Sequence, residues 1–315
     1  MIEHIPGAIA ISLSWQVLLA MAVGTVAGII IGALPGLGTV LGLVMALPFT
    51  FAMEPATAIA LLLSIYVSSI YGGSISAILI NVPGTPQSAA TVFDGYPMAQ
   101  KGEGALALGY ATIASFIGGV FSLIVLVIFA PQLAKIALSF GPIETFALIL
   151  FALTTVAWVS SGQMLKGLLA ALIGLFLATV GPDEMTGQIR FHFDNLFLSA
   201  GFTVIPLLIG IFAISEILYQ AGTVDDVNRP SVSKGGFKVP PWSAWRPRIS
   251  TLLRSCSIGS FIGVLPGTGA TAATFISYAE AKRRAPNPED FGKGEPSGLI
   301  ASESSNNAVS GGAMV

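Results

Sequence analysis

Between Ile5 and Met53 the chain runs for 49 residues without one Asp, Glu, Lys or Arg, and the stretches Pro55–Phe93 and Gly104–Ala134 add 39 and 31 more. A soluble core has no room for such runs, since about 18 apolar residues already span a bilayer as a helix. Backbone N–H and C=O groups in hydrocarbon must be paired within their own segment, which selects helices. Only 10% of the 315 residues are charged and 54% are apolar, whereas soluble chains are about a quarter charged. The expected fold class is an all-α polytopic membrane protein.

The remaining composition narrows the function. A formal charge of −2 offers no basic field, so no nucleic acid is expected as a partner. One cysteine, Cys256, excludes an internal disulfide, and His4 and His192 are too few and too far apart to suggest zinc. There is no Gly-x-Ser-x-Gly elbow, no His-Glu-x-x-His and no Ser with a nearby His, so an enzyme is not expected and no cofactor is implied. The start Met-Ile-Glu-His lacks a positive n-region, and the first apolar stretch is expected to remain in the mature protein.

Gly and Pro lie inside the apolar runs, in three clusters: Leu34–Thr39, Asn81–Pro86 and Leu265–Thr271. A Pro-Gly pair interrupts the helical hydrogen-bond ladder, which is tolerated at membrane depth only where protein or an aqueous cavity satisfies the freed groups. The first and third clusters are copies. At an offset of 231, Gly28, Gly32, Leu34, Pro35, Gly36 and Gly38 fall on Gly259, Gly263, Leu265, Pro266, Gly267 and Gly269. A second echo matches Gly72-Gly73 to Gly311-Gly312. Duplicated broken helices are a mark of secondary transporters.

Ten of the fourteen Lys and Arg fall between Arg229 and Lys293, on both sides of the third cluster, so both flanks are read as cytoplasmic. The uncharged arms Ser255–Leu265 and Ala270–Ala279 hold 11 and 10 residues, about 15–17 Å of helix, or half the hydrocarbon core. The segment reads as a re-entrant hairpin. Five expected crossings, at 56–100, 105–130, 143–160, 164–181 and 196–220, separate it from the hairpin around Pro35. Five is odd, so the two hairpins are expected to open on opposite faces, as inverted repeats. Ordinary spanning arms are the alternative, because Trp15–Leu34 is long enough to cross. The expected organisation is a first repeat over 1–103, central helices over 104–221, a cytoplasmic loop over 222–254 and the start of a second repeat over 255–315.

The segments Gly32–Gly38, Tyr71–Ser74, Asn81–Ser88 with Asp94–Pro97, Gly263–Thr271 and Ser305–Ala313 resemble the large membrane subunit of the tripartite tricarboxylate transporters over essentially the whole chain. The resemblance implies a permease of the bacterial inner membrane importing tricarboxylates or related carboxylates on a cation gradient. Its implied partners are a small membrane subunit and a periplasmic solute-binding protein. Members of that family are longer, so this chain is expected to be a truncated copy. The alternative is a stand-alone ion-coupled organic anion transporter, or a channel, without a binding protein.

Substrate or ion contact is expected at Pro35, Gly36, Gly38 and Thr39 on one tip, and at Pro266, Gly267, Thr268, Gly269 and Thr271 on the other. Helix ends offer unpaired N–H groups to carboxylates and C=O groups to a cation. Asn81, Pro83, Gly84 and Thr85 form the break, where the side-chain oxygens of Asn81 and Thr85 are candidate Na⁺ ligands. Ser74, Asn306 and Asn307 are weaker candidates, with close packing the competing reading for Ser74 and Ser76. Glu54, Asp94, Glu144 and Glu216 border apolar runs and read as interfacial. With no carboxylate recognised deep in a run, Na⁺ is favoured over H⁺ as coupling ion. Trp15, Tyr66, Trp158 and Tyr219 read as interface anchors, and Trp242 and Trp245 as a surface loop or a docking point for a partner.

Overall fold

The computed structural model describes residues 5–34, 37–137, 164–183, 188–202, 214, 218, 236–264 and 269–314. The expected crossing at 143–160 and most of that at 196–220 lie outside the described residues. So do Pro35, Gly36, Pro266, Gly267, Thr268, Glu144, Glu216, Trp158 and Tyr219.

The described chain is helical apart from a two-residue antiparallel pairing, Gly181 with Arg190 and Pro182 with Ile189. A short α1 (Ile5–Ser12) leads into α2 (Trp15–Ala33) and α3 (Gly38–Thr50), the arms of the first hairpin. Helix α4 (Pro55–Ile80) starts with proline at its first position, where no N–H is needed. It ends at Asn81, whose φ of 61° is the left-handed cap that asparagine tolerates. A short 3₁₀ turn at Pro86–Ala89 and α5 (Val92–Met98) follow, then α6 (Gly104–Ala137). The break thus extends beyond the Asn81–Pro86 cluster. It occupies 81–91.

Further along lie α7 (Met164–Ala178), one-turn α8 (Leu196–Ser199) and α9 (Trp242–Trp245), then α10 (Ile249–Val264) and α11 (Gly269–Arg284), the second hairpin. The last helix is α12 (Pro296–Gly312). At 16 residues each, α10 and α11 exceed their uncharged arms because both helices continue into charged ends, at Arg254 in α10 and at Glu280 and Lys282–Arg284 in α11.

The internal repeat is visible in helix ends and in packing. Offset by 231, the end of α2 at Ala33 falls on the end of α10 at Val264, and the start of α3 at Gly38 on the start of α11 at Gly269. Helix α2 packs on α4, with Gly28 over the Ile65 carbonyl, Gly32 over that of Ser69 and Gly72 over that of Ile29. Helix α10 packs on α12 the same way, with Gly259 over Ser305, Gly263 over Val309 and Gly312 over Ser260. The second helix of each unit is therefore offset by 240, and Gly72 corresponds to Gly312, one residue from the Gly72-Gly73 to Gly311-Gly312 match expected from sequence. The offset grows because the connection after the second hairpin is longer. Small residues at every fourth position, Ala20, Gly24, Gly28 and Gly32, let the backbones approach in the small-xxx-small manner of membrane helices.

Two expectations are corrected. Trp245 belongs to the core, its ring 5.3 Å from that of Tyr110, while Trp242 stays exposed. Asp94 is wholly buried instead of interfacial. Trp15 is exposed, as a lipid-facing anchor would be.

The glycine contacts generate a stability test. A Cβ on Gly84 would run into the Gly32 carbonyl and lie 2.8 Å from Ser76 Oγ, whereas one on Gly174 meets nothing within 4 Å. Gly84→Ala should lower stability by about 2–4 kcal/mol, the range for backbone-limited overpacking. Gly174→Ala should be neutral or gain up to about 1 kcal/mol from helix propensity. Thermal melts of the two purified variants, side by side, check both expectations.

Candidate functional site

Helix α12 carries the structure's densest set of buried polar groups among the described residues. Every residue from Gly298 to Gly312 is buried, including Ser302, Glu303, Ser304, Ser305, Asn306, Asn307 and Ser310. A buried polar group without a partner costs about 1–3 kcal/mol. The serines solve this locally: Ser302 donates to the Gly298 carbonyl at 3.0 Å, Ser304 to Ile300 at 2.7 Å and Ser305 to Ala301 at 2.9 Å. A carboxylate has no such local solution.

Glu303 is instead met by other segments. The Thr91 hydroxyl, at the end of the break, donates to Oε1, and the Ser115 hydroxyl of α6 donates to Oε2 at 3.0 Å. The Ser74 hydroxyl of α4 lies beside the same carboxylate. Among the described residues no basic side chain pairs with Glu303. One turn on, the Asn306 amide is wholly buried with neither its nitrogen nor its oxygen hydrogen-bonded, and Asn307 Nδ2 donates to the Glu303 carbonyl at 3.4 Å. A wholly buried carboxylate is thus present on α12, outside the apolar runs in which none was expected.

A cleft of about 790 Å³ opens between α1, α2, α4 and α6. Its walls are apolar, with Val17, Met21, Leu63, Val67 and Leu123 among them. Its polar end is formed by Ser68, Tyr71, Thr112, Ser115 and Asn307. The Tyr71 and Thr112 hydroxyls are 2.6 Å apart. Ser115 therefore touches the cleft on one side and Glu303 on the other.

The residues singled out in sequence take different positions. Gly38, with φ of 66°, starts α3, and Thr39 is buried with its Oγ1 2.9 Å from Ser69 Oγ. Gly269 starts α11, where the Thr271 carbonyl accepts from Thr274 Oγ1 at 2.8 Å. Gly84 N–H donates to the Gly73 carbonyl at 3.2 Å. Gly32, Gly73 and Gly84 meet there, so the break folds back onto α4 and onto the end of α2. Thr85 is buried with its hydroxyl 3.4 Å from Ser88 Oγ, whereas Asn81 is exposed and Pro83 half-buried. Asn81 and Thr85 thus sit in unlike surroundings. Ser76 donates to the Gly73 carbonyl at 3.1 Å, which is a packing role.

The break also binds the second repeat. The Pro86–Ala89 turn packs on α11 and α12. Asp94 Oδ1 accepts backbone N–H bonds from Gly292 at 2.9 Å and from Gly294 and Glu295 at 2.8 Å. At the start of α12, Glu295 pairs with Arg248 at 3.1 Å and caps Ser297 N–H at 3.1 Å. Burial works against the Glu295 charge, but the Ser297 and Arg248 contacts outweigh it and hold the carboxyl below its usual range.

Glu303 escaped sequence reading because Ser302–Asn307 looks like an ordinary polar stretch close to the last residue. The available signal was a lone acid flanked by small residues and bracketed by Gly298 and Gly311-Gly312, in the copy of a helix already assigned to the membrane.

Asp94→Ala leaves three backbone N–H groups unpaired around an emptied site. It should lower stability by about 2–4 kcal/mol, with a smaller loss for Asp94→Asn, which keeps one acceptor oxygen. Melting temperatures of the two variants, ranked against the parent, test that order.

The family model described as the tripartite tricarboxylate transporter TctA family matches residues 18–315. The chain is also similar to an uncharacterized 52.8 kDa protein in the TAR-I ttuC' 3' region of Agrobacterium vitis, with 39% identity over 290 residues, 91% of this chain and 57% of that protein. An uncharacterized protein in the TAR-II ttuC' 3' region of the same organism is 47% identical over 51 residues, 16% of this chain and 21% of that protein. The chain thus spans little more than half the length of the more extensively matched relative. No solved structure matches it. Apolar runs, a duplicated hairpin and a family match over nearly the whole length agree: the chain is an all-α polytopic membrane protein and belongs to the tripartite tricarboxylate transporter TctA family.

Proposed function

We propose that this chain is part of the permease subunit of a secondary transporter in the bacterial inner membrane that imports tricarboxylates or related carboxylates on a cation gradient. It works with a small membrane subunit and a periplasmic solute-binding protein, and it is not an enzyme. The observation that carries this reading is the duplicated hairpin-and-helix unit, packed at matching glycine positions around an interrupted membrane segment. Paired interrupted helices are how secondary transporters build a midplane site with two alternating faces. Membership in the TctA family supports the substrate class and the two partners.

Within this reading the repeats are inverted and the hairpins re-entrant. The basic flanks of the second hairpin are cytoplasmic, as is the loop over 222–254. The tips at Pro35–Thr39 and Pro266–Thr271 present helix ends to the carboxylate. Na⁺ is the favoured coupling ion, with Asn81 and Thr85 as candidate ligands. The division into 1–103, 104–221, 222–254 and 255–315 follows the same scheme.

Two measurements test this. Cys substitutions at Lys238 and Lys293 should both react with impermeant thiol reagents only from the cytoplasmic side; labelling from opposite faces would turn the second hairpin into two spans. The full-length permease, reconstituted with its small subunit and supplied with its binding protein, should take up citrate saturably when an inward Na⁺ gradient is imposed. Gly267→Val should abolish uptake per folded molecule, because a β-branched side chain intrudes where the backbone meets the ligand. Conduction at channel rates, or uptake that ignores the binding protein, would favour the stand-alone alternative.

A further inference from the structure

The importer reading requires a place for the coupling cation, and the hairpin tips and break supply only neutral oxygens. The deepest charge-bearing group lies elsewhere. Glu303 is wholly buried, and among the described residues nothing basic pairs with it. An isolated carboxylate cannot stay ionised in a medium of low dielectric, so a group of this kind either binds a cation or takes a proton. Ionisable residues at membrane depth mark ion or proton pathways by default.

The surroundings fit a cation that comes and goes. Four segments converge on the carboxyl: Ser74 from α4, Thr91 from the break, Ser115 from α6, and α12 itself. Hydroxyls are adaptable: each can donate to a bare carboxylate or turn to offer an oxygen to a cation or to an acid proton. The Ser74 hydroxyl is buried and lies beside the carboxylate, a third hydroxyl oxygen at this point. Ser115 and Asn307 are among the residues lining the cleft, and Ser115 donates to Glu303, so the carboxylate lies next to the cleft wall.

Several other titratable groups on the packed elements are engaged elsewhere: Tyr66 of α4 meets Ser310, and Arg254 of α10 donates to Thr251 at 3.5 Å. Tyr71 of α4 is near enough to feel the charge of Glu303, and its hydroxyl meets that of Thr112. Asp94 of α5 accepts from the loop amides, and Tyr110 of α6 packs on Trp245. Cys256 of α10 is buried against Ser304, and Tyr278 of α11 lies between Phe93 and Phe291. Arg248 and Glu295 pair at the start of α12, eight residues and about 12 Å of helix before Glu303.

We infer that Glu303 is the cation-loading group of the transporter: one monovalent cation, reaching it from the cleft past Ser115, neutralises the carboxylate beside the hydroxyls of Ser74, Thr91 and Ser115. The inference rests on the importer reading for its purpose but not for its chemistry. Na⁺ and H⁺ supply the same single charge, and they separate by experiment.

The purified full-length permease is melted in detergent across an NaCl series at fixed alkaline pH, with choline chloride at matched ionic strength, and across a pH series without Na⁺. A ligand that binds the folded state raises its melting temperature. The parent should respond to one of the two series, and that series names the cation. Glu303→Gln, isosteric and neutral, should melt higher than the cation-free parent and lose that response. Retention of the parent's response in Glu303→Gln, or no response of the parent to either series, overturns the assignment. If Glu303→Gln does not yield folded protein, Ser115→Ala, which removes one hydroxyl donor, should weaken the same response by tenfold or more in cation concentration; an unchanged midpoint counts against the site. Reconstituted Glu303→Gln should also lose gradient-driven accumulation of citrate. A parent that binds the cation through Glu303 yet never accumulates citrate would remove the importer reading and leave the cation site standing.

Discussion

A helix that is polar over much of its surface and buried along its whole length is the constraint around which the rest is arranged. Enclosing helix α12 costs free energy for every polar group left unmet, and Ser302, Ser304 and Ser305 are met by its own carbonyls. Glu303 cannot be, because a carboxylate accepts bonds and the helix has already used its N–H groups. Its donors must come from neighbours whose backbones approach closely. Glycine makes that approach possible. Gly118 of α6 sits over the Ser304 carbonyl, and Ser115, one turn earlier on the same face, thereby reaches Glu303. A larger residue at 118 would push α6 outward and withdraw the hydroxyl with it.

The duplicated architecture was legible in the sequence because its cause is local. Helices stop short of the Leu-Pro-Gly clusters on both sides, so the ends at Ala33 and Val264 and the starts at Gly38 and Gly269 follow from the letters. Contact register is less local. The choice between Gly311 and Gly312 as the counterpart of Gly72 depends on which glycine faces the neighbouring arm, and identity of the pair does not decide it. Trp245 and Asp94 were misjudged for a related reason. Both sit beside charged or Pro-rich sequence, and their burial comes from partners at Tyr110 and at residues 292–295. Glu303 is the extreme case, with its hydroxyl donors 212 and 188 residues away in sequence.

The two repeats share a scaffold and differ in chemistry. Each long helix begins after a Glu-Pro pair, Glu54-Pro55 and Glu295-Pro296, and each receives the first hairpin arm along a row of glycines. At the offset of 240 that the packing defines, Glu303 falls on Leu63, an apolar wall of the cleft. Duplication therefore explains the close backbone packing but not the acid. That division suits a transporter, in which symmetry supplies two related conformations and an asymmetric charge supplies the coupling.

The break at 81–91 links these parts. Its first half is fixed to repeat one, through Gly84 against Gly32 and Gly73. Its second half is fixed to repeat two, through the turn at Pro86–Ala89 on α11 and α12 and through Thr91 on Glu303. The turn between is compact, with Ser88 N–H donating to the Thr85 carbonyl at 3.0 Å and Thr91 N–H to that of Ser88 at 3.1 Å. These bonds tie Thr85, Ser88 and Thr91 into one compact run of seven residues. A shift of the first hairpin that moves Gly32 must carry Gly84, and with it the Thr91 hydroxyl, relative to Glu303. The charge state of Glu303 acts in the opposite sense. A bare carboxylate holds the Thr91 donor, and a neutralised one holds it less tightly. On the proposed assignment of Glu303, cation occupancy and hairpin position would be connected through one short segment of backbone, as coupling a substrate site to an ion requires.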